Sequence, residues 1–420
     1  MEDKFEVLII GGGTAGIMVS AQLLRKDPNL KVAIVEPSKD HYYQAAWTLV
    51  GGGTFNYADT RRDEKDLIPK GVTWIQEYAE TFDPDNNVVK LRNGENIGYD
   101  YLVVAPGIQI DLDGIEGLKD AINHDQVCSV YVNPEYAWEV IRNFKSGNAV
   151  FTQPATPIKC GGAPQKVMHL ASDTWRKKGI LDDINVIYPT PGSVIFGVKD
   201  FAKTLNKVLQ RYDVQTRFFY KLTKIDPEKK ELHYVYTKAN ENKCIVNEDK
   251  DIKEKLEGEA HIIMPYDMVH LAPPQSAPDF IKESPLAVEN NPGGWIDIDK
   301  HTLQHNKYSN IFALGDAANL PTAKTGAAVR KQAPVVVENI LTLMDKNVIS
   351  DASYSGYSSC PIVTGYGKMM LAEFKYDNVR DSDPLISKFV DTTKENYSMW
   401  LLKKYGLPYL YWNQMMKGKM

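Results

Sequence analysis

Cysteine is scarce. Only Cys128, Cys160, Cys244 and Cys360 occur in 420 residues. That excludes a disulfide-framed scaffold, so a cysteine that matters here matters chemically. Long apolar runs are missing as well. None approaches the roughly 18–20 residues of a spanning helix. Positive charge is not in excess: Lys plus Arg is 49 against 54 for Asp plus Glu, a formal net charge of −5. A weakly acidic chain lacks the basic footprint of sequence-independent nucleic-acid binding. Residues 1–4 hold no basic n-region and run straight into an apolar segment. No Sec signal or transit peptide is expected, with prior processing left open. There is no internal repeat and no low-complexity tract, and no metal site is expected. What remains is ordinary: 43% apolar and 25% charged residues. This composition excludes a disordered chain, a collagen and a coiled coil, and the length allows about two to four structural units at roughly 100–200 residues each.

The richest signal is at the start. Residues 6–10 (EVLII) read as a strand and run into GGGTAG at 11–16, which fits G-x-G-x-x-G. A helical pattern follows, with Ile17, Ala21 and Leu24 on one face, then a second strand at 31–35 ending in Glu36. Gly11 suits the tight turn, Gly13 the close approach of a pyrophosphate, and Gly16 the packing of helix on strand. Glu36 can accept from ribose hydroxyls, and the helix start faces phosphates. Residues 310–319 (NIFALGDAAN) add a strand followed by Gly315 and Asp316, resembling the second fingerprint of two-dinucleotide flavoproteins. A helix N-cap would equally explain Asp316 taken alone. Residues 99–107 (YDYLVVAPG) resemble the middle motif of that superfamily. Three motifs in this order favour FAD over NAD.

Between these pieces a second nucleotide-binding unit is expected, but its glycine turn is gone. A strand at 148–152 leads to QPATPIKCGGAPQK at 153–166, with two prolines before Cys160, and the next strand (184–188) meets Pro189 rather than an acid. This region reads as a dinucleotide-type fold without a nicotinamide site, so electrons must come from something other than NADH. Cys160 precedes a helical pattern at 167–175, where the dipole, Lys159 and Lys166 would favour a thiolate. The alternative is an inert cysteine packed like alanine. Cys360 sits in polar, Pro- and Gly-bearing sequence read as a loop beside a short strand. Two isolated cysteines suggest a redox dithiol at the flavin, though spacing cannot show that they meet.

The carrying motifs are GGGTAG at 11–16, VEP at 35–37, HYYQ at 41–44, WTLVG at 47–51, TPIKCGGAPQK at 156–166, IFGV at 195–198, TLQH at 302–305, Gly315-Asp316, and SCPIVTGY at 359–366. On these the chain resembles the sulfide:quinone oxidoreductase family over nearly its full length, in the branch that includes the mitochondrial enzyme. The resemblance implies that Cys160 and Cys360 are the redox pair. It implies FAD contacts from Thr14, Ala15, Glu36, Gln44, the backbone near Ala79, Asp316 and the turn from Lys324 to Gly326. It implies oxidation of hydrogen sulfide to sulfane sulfur, with electrons passed through FAD to ubiquinone or menaquinone. Hydrosulfide would attack a Cys160–Cys360 bridge, with or without an extra sulfur; Cys160 would leave as thiolate and Cys360 would hold the persulfide. The sulfur acceptor (sulfide, sulfite, glutathione or coenzyme A) stays open. Other branches carry a further cysteine near the position of Cys128 with a histidine after it. Here that histidine is absent, so the flavin is expected to be non-covalent and Cys128 structural.

The expected fold is α/β. An FAD-binding domain is formed by 1–115 with 300–345, and a second Rossmann-like domain by 116–299. A C-terminal region, 346–420, carries Cys360. Residues 240–259 are expected to form a solvated insertion, with Cys244 given no role. Residues 400–420 hold four lysines, five Trp or Tyr and no acid. That composition suits a monotopic membrane surface, with Gly406 and Pro408 dividing two short helices. Cover for the core or a dimer interface is the other reading. Removing 396–420 is expected to leave a flavoprotein that sulfide still reduces. The location would be a bacterial cytoplasmic membrane, or the mitochondrial inner membrane for a processed form, and a homo-oligomer stays open. Rival functions are a soluble sulfide dehydrogenase using a cytochrome, a type-II NADH:quinone reductase, and a non-catalytic flavin-binding protein.

Overall fold

The computed structural model describes residues 3–238 and 251–420; Cys244 and most of the charged insertion lie outside the described residues. The strand Asp3–Ile10 is central to a seven-stranded sheet. Val32–Val35 pairs parallel on one side of it and Asn96–Val104 on the other, with Thr73–Ile75 beyond Val32–Val35. These strands are near-continuous runs of Val, Ile and Leu because both faces of a parallel sheet are covered. Asn96–Val104 is long enough to serve two further neighbours. Its first residues pair antiparallel with Val88–Leu91, and its last three pair parallel with Ile311–Ala313. The sheet therefore takes strands from the beginning of the chain and again from beyond residue 310. The helices Thr14–Lys26 and Gly326–Lys346 pack against each other on this unit, linked at the surface by Lys26 and Glu338.

A second sheet is wholly parallel, in the order Val127–Cys128, Met268–His270, Gly147–Phe151, Ile184–Thr190 and Gln215–Phe218. The helices Ala163–Lys178 and Lys199–Arg211 are its crossovers. A four-stranded antiparallel sheet adjoins it. Lys255–Glu257, read from sequence as part of a solvated insertion, is an exposed edge strand of that sheet.

Cys360 lies in no loop. It sits within Ser358–Gly365, an eight-residue strand paired antiparallel with Lys368–Lys375. Pro361 had argued for a loop. It is tolerated because Ser358–Gly365 is an edge strand, where one face of the backbone needs no donor.

The C-terminal segment is helical from Tyr397 to Asn413, with a π turn at Leu402–Gly406 where two separate helices were expected. Pro408 fits in the first turn of Leu407–Asn413, where a missing N–H costs nothing. Among the described residues no helix is long and apolar enough to cross a membrane. Nor is the segment a detachable tail. Tyr411, Met415 and Met416 are buried in the same core as the first strand and helix, and the main chain at Gly418 abuts Ala21 and Gln22. Truncation after residue 396 should therefore destabilise the nucleotide-binding unit itself, at about 1.5–3 kcal/mol for each large side chain exposed. A marked fall in the thermal midpoint, with loss of bound flavin, is the expected result, rather than a clean soluble core.

Candidate functional site

The glycine turn is shaped by contact. Gly11 has φ +101°, and a Cβ there would collide with the carbonyl of Ala105. A Cβ at Gly16 would overlap the carbonyl of Gly11. Gly13 differs, because nothing lies within 4 Å of where its Cβ would be. That open cradle sits at the start of the helix carrying Thr14 and Ala15, where free N–H groups face outward. Glu36 follows the second strand and accepts from the Gly12 N–H at 2.7 Å and the Ser38 N–H at 2.8 Å. Burial raises its carboxyl above the usual range, against those two hydrogen bonds. Its own N–H reaches Ile75, which places the segment leading to Ala79 beside it.

The distal pieces close on the same cradle. A Cβ on Gly315 would touch that of Ala15 at 3.5 Å. Asp316 is buried enough that its carboxyl is raised, with Lys324 and Lys159 opposing the shift. Among the described residues no group donates a hydrogen bond to that carboxylate. A half-buried acceptor without a donor is a place for ligand hydroxyls. Lys324 donates to the carbonyls of Asp316 (2.6 Å) and Ala318 (3.1 Å), and Gly326 opens the long helix that Thr325 caps. Glu36, the Gly13 cradle, Asp316 and the helix start at Gly326 together fit a dinucleotide with a polyol chain.

The two cysteines converge beside this groove. The Cys160 N–H donates to the Lys324 carbonyl at 2.8 Å, which ties the cysteine loop to the edge of the cradle. Cys160 has φ +52°, a left-handed conformation that turns the chain before Gly162 and the helix Ala163–Lys178. The Cys360 sulfur lies over Gly162, 2.7 Å from where a Cβ would be. The two thiols are hydrogen-bonded to each other. This is where Gly162 is required. Any side chain would push the sulfurs apart.

Their titration is asymmetric. The Cys360 thiol, donating to Cys160, holds the Cys160 sulfur well below the ordinary thiol range; the Lys166 ammonium and Lys403 add to this against burial. Cys360 is pushed up correspondingly. Lys166 donates to the Cys160 sulfur at 2.8 Å, as its position suggested. Lys159 does not approach the sulfur; it donates to Gln44 Oε1 near the Trp47 ring. Cys128 is fully buried in the second sheet, where burial raises its thiol. Of the histidines, His169 and His270 are buried with pKa values pushed down to about 4 and about 3, a setting for packing rather than proton transfer.

Sequence reasoning missed two residues, both in the C-terminal segment. Lys403 is 2% exposed, donates to the Ala45 carbonyl at 2.7 Å and faces the cysteine pair. Burial and the Lys166 charge push it down to about 7, against the two cysteines. Tyr411 reaches the glycine turn itself. Its hydroxyl lies 2.8 Å from Thr14 Oγ1 and 2.6 Å from His41 Nε2, and His41 Nδ1 lies 3.0 Å from Glu64. With the ring neutral, Nδ1–H donates to Glu64, Nε2 accepts from Tyr411, and Tyr411 accepts from Thr14. The only sequence signal was HYYQ at 41–44, which has its partner in this segment: the Tyr43 and Tyr411 rings meet at a tilt of 40°, centroids 4.6 Å apart.

Lys403 gives a pH-dependent expectation. Its charge is present below about pH 7 and fades above, while Lys166 stays charged. Lys403→Met should raise the Cys160 pKa and slow alkylation of the reduced pair. The gap from wild type should be widest below pH 7 and narrow as pH rises. A gap that widens above pH 7 would contradict this placement.

The comparisons with known proteins agree with this geometry. Residues 5–150 match the family model described as pyridine nucleotide-disulphide oxidoreductase. The chain is 40% identical to the mitochondrial sulfide:quinone oxidoreductase of Mus musculus, over 99% of this chain and 87% of the relative. It is 41% identical to the mitochondrial sulfide:quinone oxidoreductase of Dictyostelium discoideum, over 100% of this chain and 87% of the relative. The solved sulfide:quinone oxidoreductase of Aquifex aeolicus shares the fold, with a TM-score of 0.76 at 19% identity, covering 99% of this chain and 92% of that one. With identity at this level over nearly its whole length, the chain belongs to the sulfide:quinone oxidoreductase family.

Proposed function

We propose that this chain is a flavoprotein that oxidises sulfide and reduces quinone, with Cys160 and Cys360 as the reacting pair. The observation that carries the reading is a buried ammonium, Lys166, hydrogen-bonded to one of two touching thiols. Hydrosulfide attacks the Cys360 sulfur of the oxidised pair. The S–S bond breaks and its electron pair goes to the Cys160 sulfur, where Lys166 stabilises the thiolate. Cys360 is left as the persulfide. Gly11, Gly13, Thr14, Ala15, Gly16, Glu36, Gln44, the backbone near Ala79, Gly315, Asp316, Lys324 and Gly326 would hold FAD without a covalent link, and when bound it would supply a two-electron acceptor between sulfide and quinone. The flavin unit is assigned to 1–115 with 300–345. Residues 116–299 form a second nucleotide-type unit that carries Cys160 in place of a nicotinamide turn, and 346–420 supply Cys360.

The membrane reading is refined by exposure. Tyr397, Leu401, Tyr405 and Tyr409 recur every four residues and are 65%, 39%, 61% and 61% exposed. The opposite side carries buried Trp400, Lys403 and Tyr411. An aromatic stripe beside Lys404, on a helix whose other face is in the core, suits peripheral attachment at the headgroup boundary.

Two experiments test this. Anaerobic sulfide should bleach the flavin band of the holoenzyme, and a short-chain quinone should restore it. Cys160→Ser and Cys360→Ser should keep FAD and lose the bleaching. Bleaching by NADH instead would replace this reading with a nicotinamide-linked one. Separately, changing Leu401, Tyr405 and Tyr409 to Ser should weaken binding to anionic vesicles by at least about tenfold while sulfide bleaching persists. Unchanged vesicle binding would remove the stripe from the membrane interface.

A further inference from the structure

The four-stranded antiparallel sheet carries a side-chain cluster that the reading above leaves without a role. Its strands run in the order Tyr220–Asp226, Glu231–Tyr236, His261–Pro265 and Lys255–Glu257. Leu232, Tyr234, Ile262 and Met264 are buried in a core shared with the second parallel sheet. The alternate residues Glu231, His233, His261 and Ile263 therefore stand on the outer face. Register brings two histidines together there. His233 is opposite Ile263, and His261 lies two residues before Ile263 on the same strand. Aromatic rings on such a diagonal pair can meet. His233 Nδ1 and His261 Nε2 are 3.3 Å apart, with ring centroids 5.3 Å apart and planes inclined by 20°. Each ring turns its other nitrogen to a carboxylate. His261 Nδ1 lies 3.3 Å from Glu257, and His233 Nε2 lies 3.9 Å from Glu231.

Two neutral rings cannot satisfy this arrangement by themselves. A neutral imidazole carries one N–H. A proton on either inner nitrogen bridges the rings but leaves that ring's outer lone pair facing a carboxylate. Protons on both outer nitrogens suit Glu231 and Glu257, but then two inner lone pairs face each other at 3.3 Å. A cation between the rings completes that last state. Carboxylates behind both imidazoles fix the tautomer and raise the basicity of the inner nitrogens. Burial, and then the His261 ring, lower the pKa of His233 and favour its neutral form. Lys224, paired with Glu116, and Asp226, paired with Lys229, are the other charges that act on His233. The spacing selects a geometry. Two imidazole nitrogens on a tetrahedral zinc, each about 2.0–2.1 Å from the metal, stand about 3.3–3.4 Å apart. A square-planar or octahedral ion at that bond length would draw neighbouring ligands to about 2.9 Å.

We propose that His233 Nδ1 and His261 Nε2 bind a tetrahedral, zinc-class divalent cation, with Glu231 and Glu257 as the groups that orient the two rings. Among the described residues no three metal-ligating side chains converge, so water fills the remaining positions of the ion. The two ligands are 28 positions apart on different strands, which is why no ligand spacing announces them in the sequence. They flank residues 237–260, so the bound ion clips together the strands on either side of that connection. The site uses no residue assigned to the flavin or to the cysteine pair.

The test uses the untagged, FAD-loaded enzyme with its cysteine pair oxidised, so that those thiols are not available to a metal. Zinc titrated against a chelating indicator near neutral pH should fill one site per chain. Its affinity should fall as pH drops through about 6.5, where protons take the inner nitrogens. Glu257→Gln, which keeps both ligands, should weaken binding about tenfold, and His233→Ala and His261→Ala should each weaken it further. The rate of flavin bleaching by sulfide should be the same in all three variants. Should His233→Ala disturb folding, His261→Ala decides, because that side chain is 40% exposed and its loss opens no core. Zinc binding that is equal in wild type and His261→Ala would place the metal elsewhere and overturn the proposal. So would the absence of binding to wild type at submillimolar zinc.

Discussion

Two ammonium groups are buried beside two sulfurs, and among the described residues neither has a carboxylate within ion-pair range. Lys166 is 1% exposed and Lys403 2%. Burying a cation without a partner costs several kcal/mol. The cheapest compensating anion within reach is a thiolate at Cys160, which Lys166 touches. The rest of the site follows from accommodating that anion. The chain turns through a left-handed residue to present the sulfur, Gly162 leaves room for the second cysteine, and the Lys324 carbonyl fixes the loop against the nucleotide cradle. The asymmetry between the cysteines is therefore built into packing before any substrate arrives. In the proposed reaction that asymmetry would make one sulfur the leaving group and the other the point of attack.

The second parallel sheet carries a cysteine loop where the sequence lacks the glycine turn. Its five strands run parallel, with the helices Ala163–Lys178 and Lys199–Arg211 as crossovers. Prolines and a cysteine occupy the turn after Gly147–Phe151, and the backbone there is bonded across to Lys324. The turn presents the Cys160 sulfur beside the nucleotide cradle.

Much of this was legible in the sequence, but unevenly. The glycine turn was readable because it is local: strand, turn, helix and acid lie within 36 residues of the start. The absent second fingerprint was readable for the same reason. Cys360 was misplaced because Pro361 argues against a strand, and only the sheet order reveals that its strand is an edge. Lys159 and Lys166 looked equivalent as flanking charges, yet helical geometry aims Lys166 at the sulfur and leaves Lys159 to Gln44. The C-terminal segment was the hardest. Composition averages the faces of a helix, so a stretch of lysine and aromatics left membrane surface and core cover both open. Within the π turn at Leu402–Gly406, Lys403 is buried and Lys404 half-exposed, a distinction between adjacent identical residues that no sequence window carries.

Tyr411 and Thr14 are separated by 397 positions and joined by one hydrogen bond. The central sheet likewise waits for Ile311–Ala313 to complete the flank of Asn96–Val104. As the ribosome delivers the chain, its first helix emerges early and finds its covering partner only after nearly everything else has been made. The nucleotide cradle is thus made well before the segments that close it. Contacts of such long range are slow to form and leave apolar surface exposed in the interval. Cofactor loading is then a step that follows synthesis, and a ribosome stalled before residue 407 would carry a helix 14–26 with one face bare.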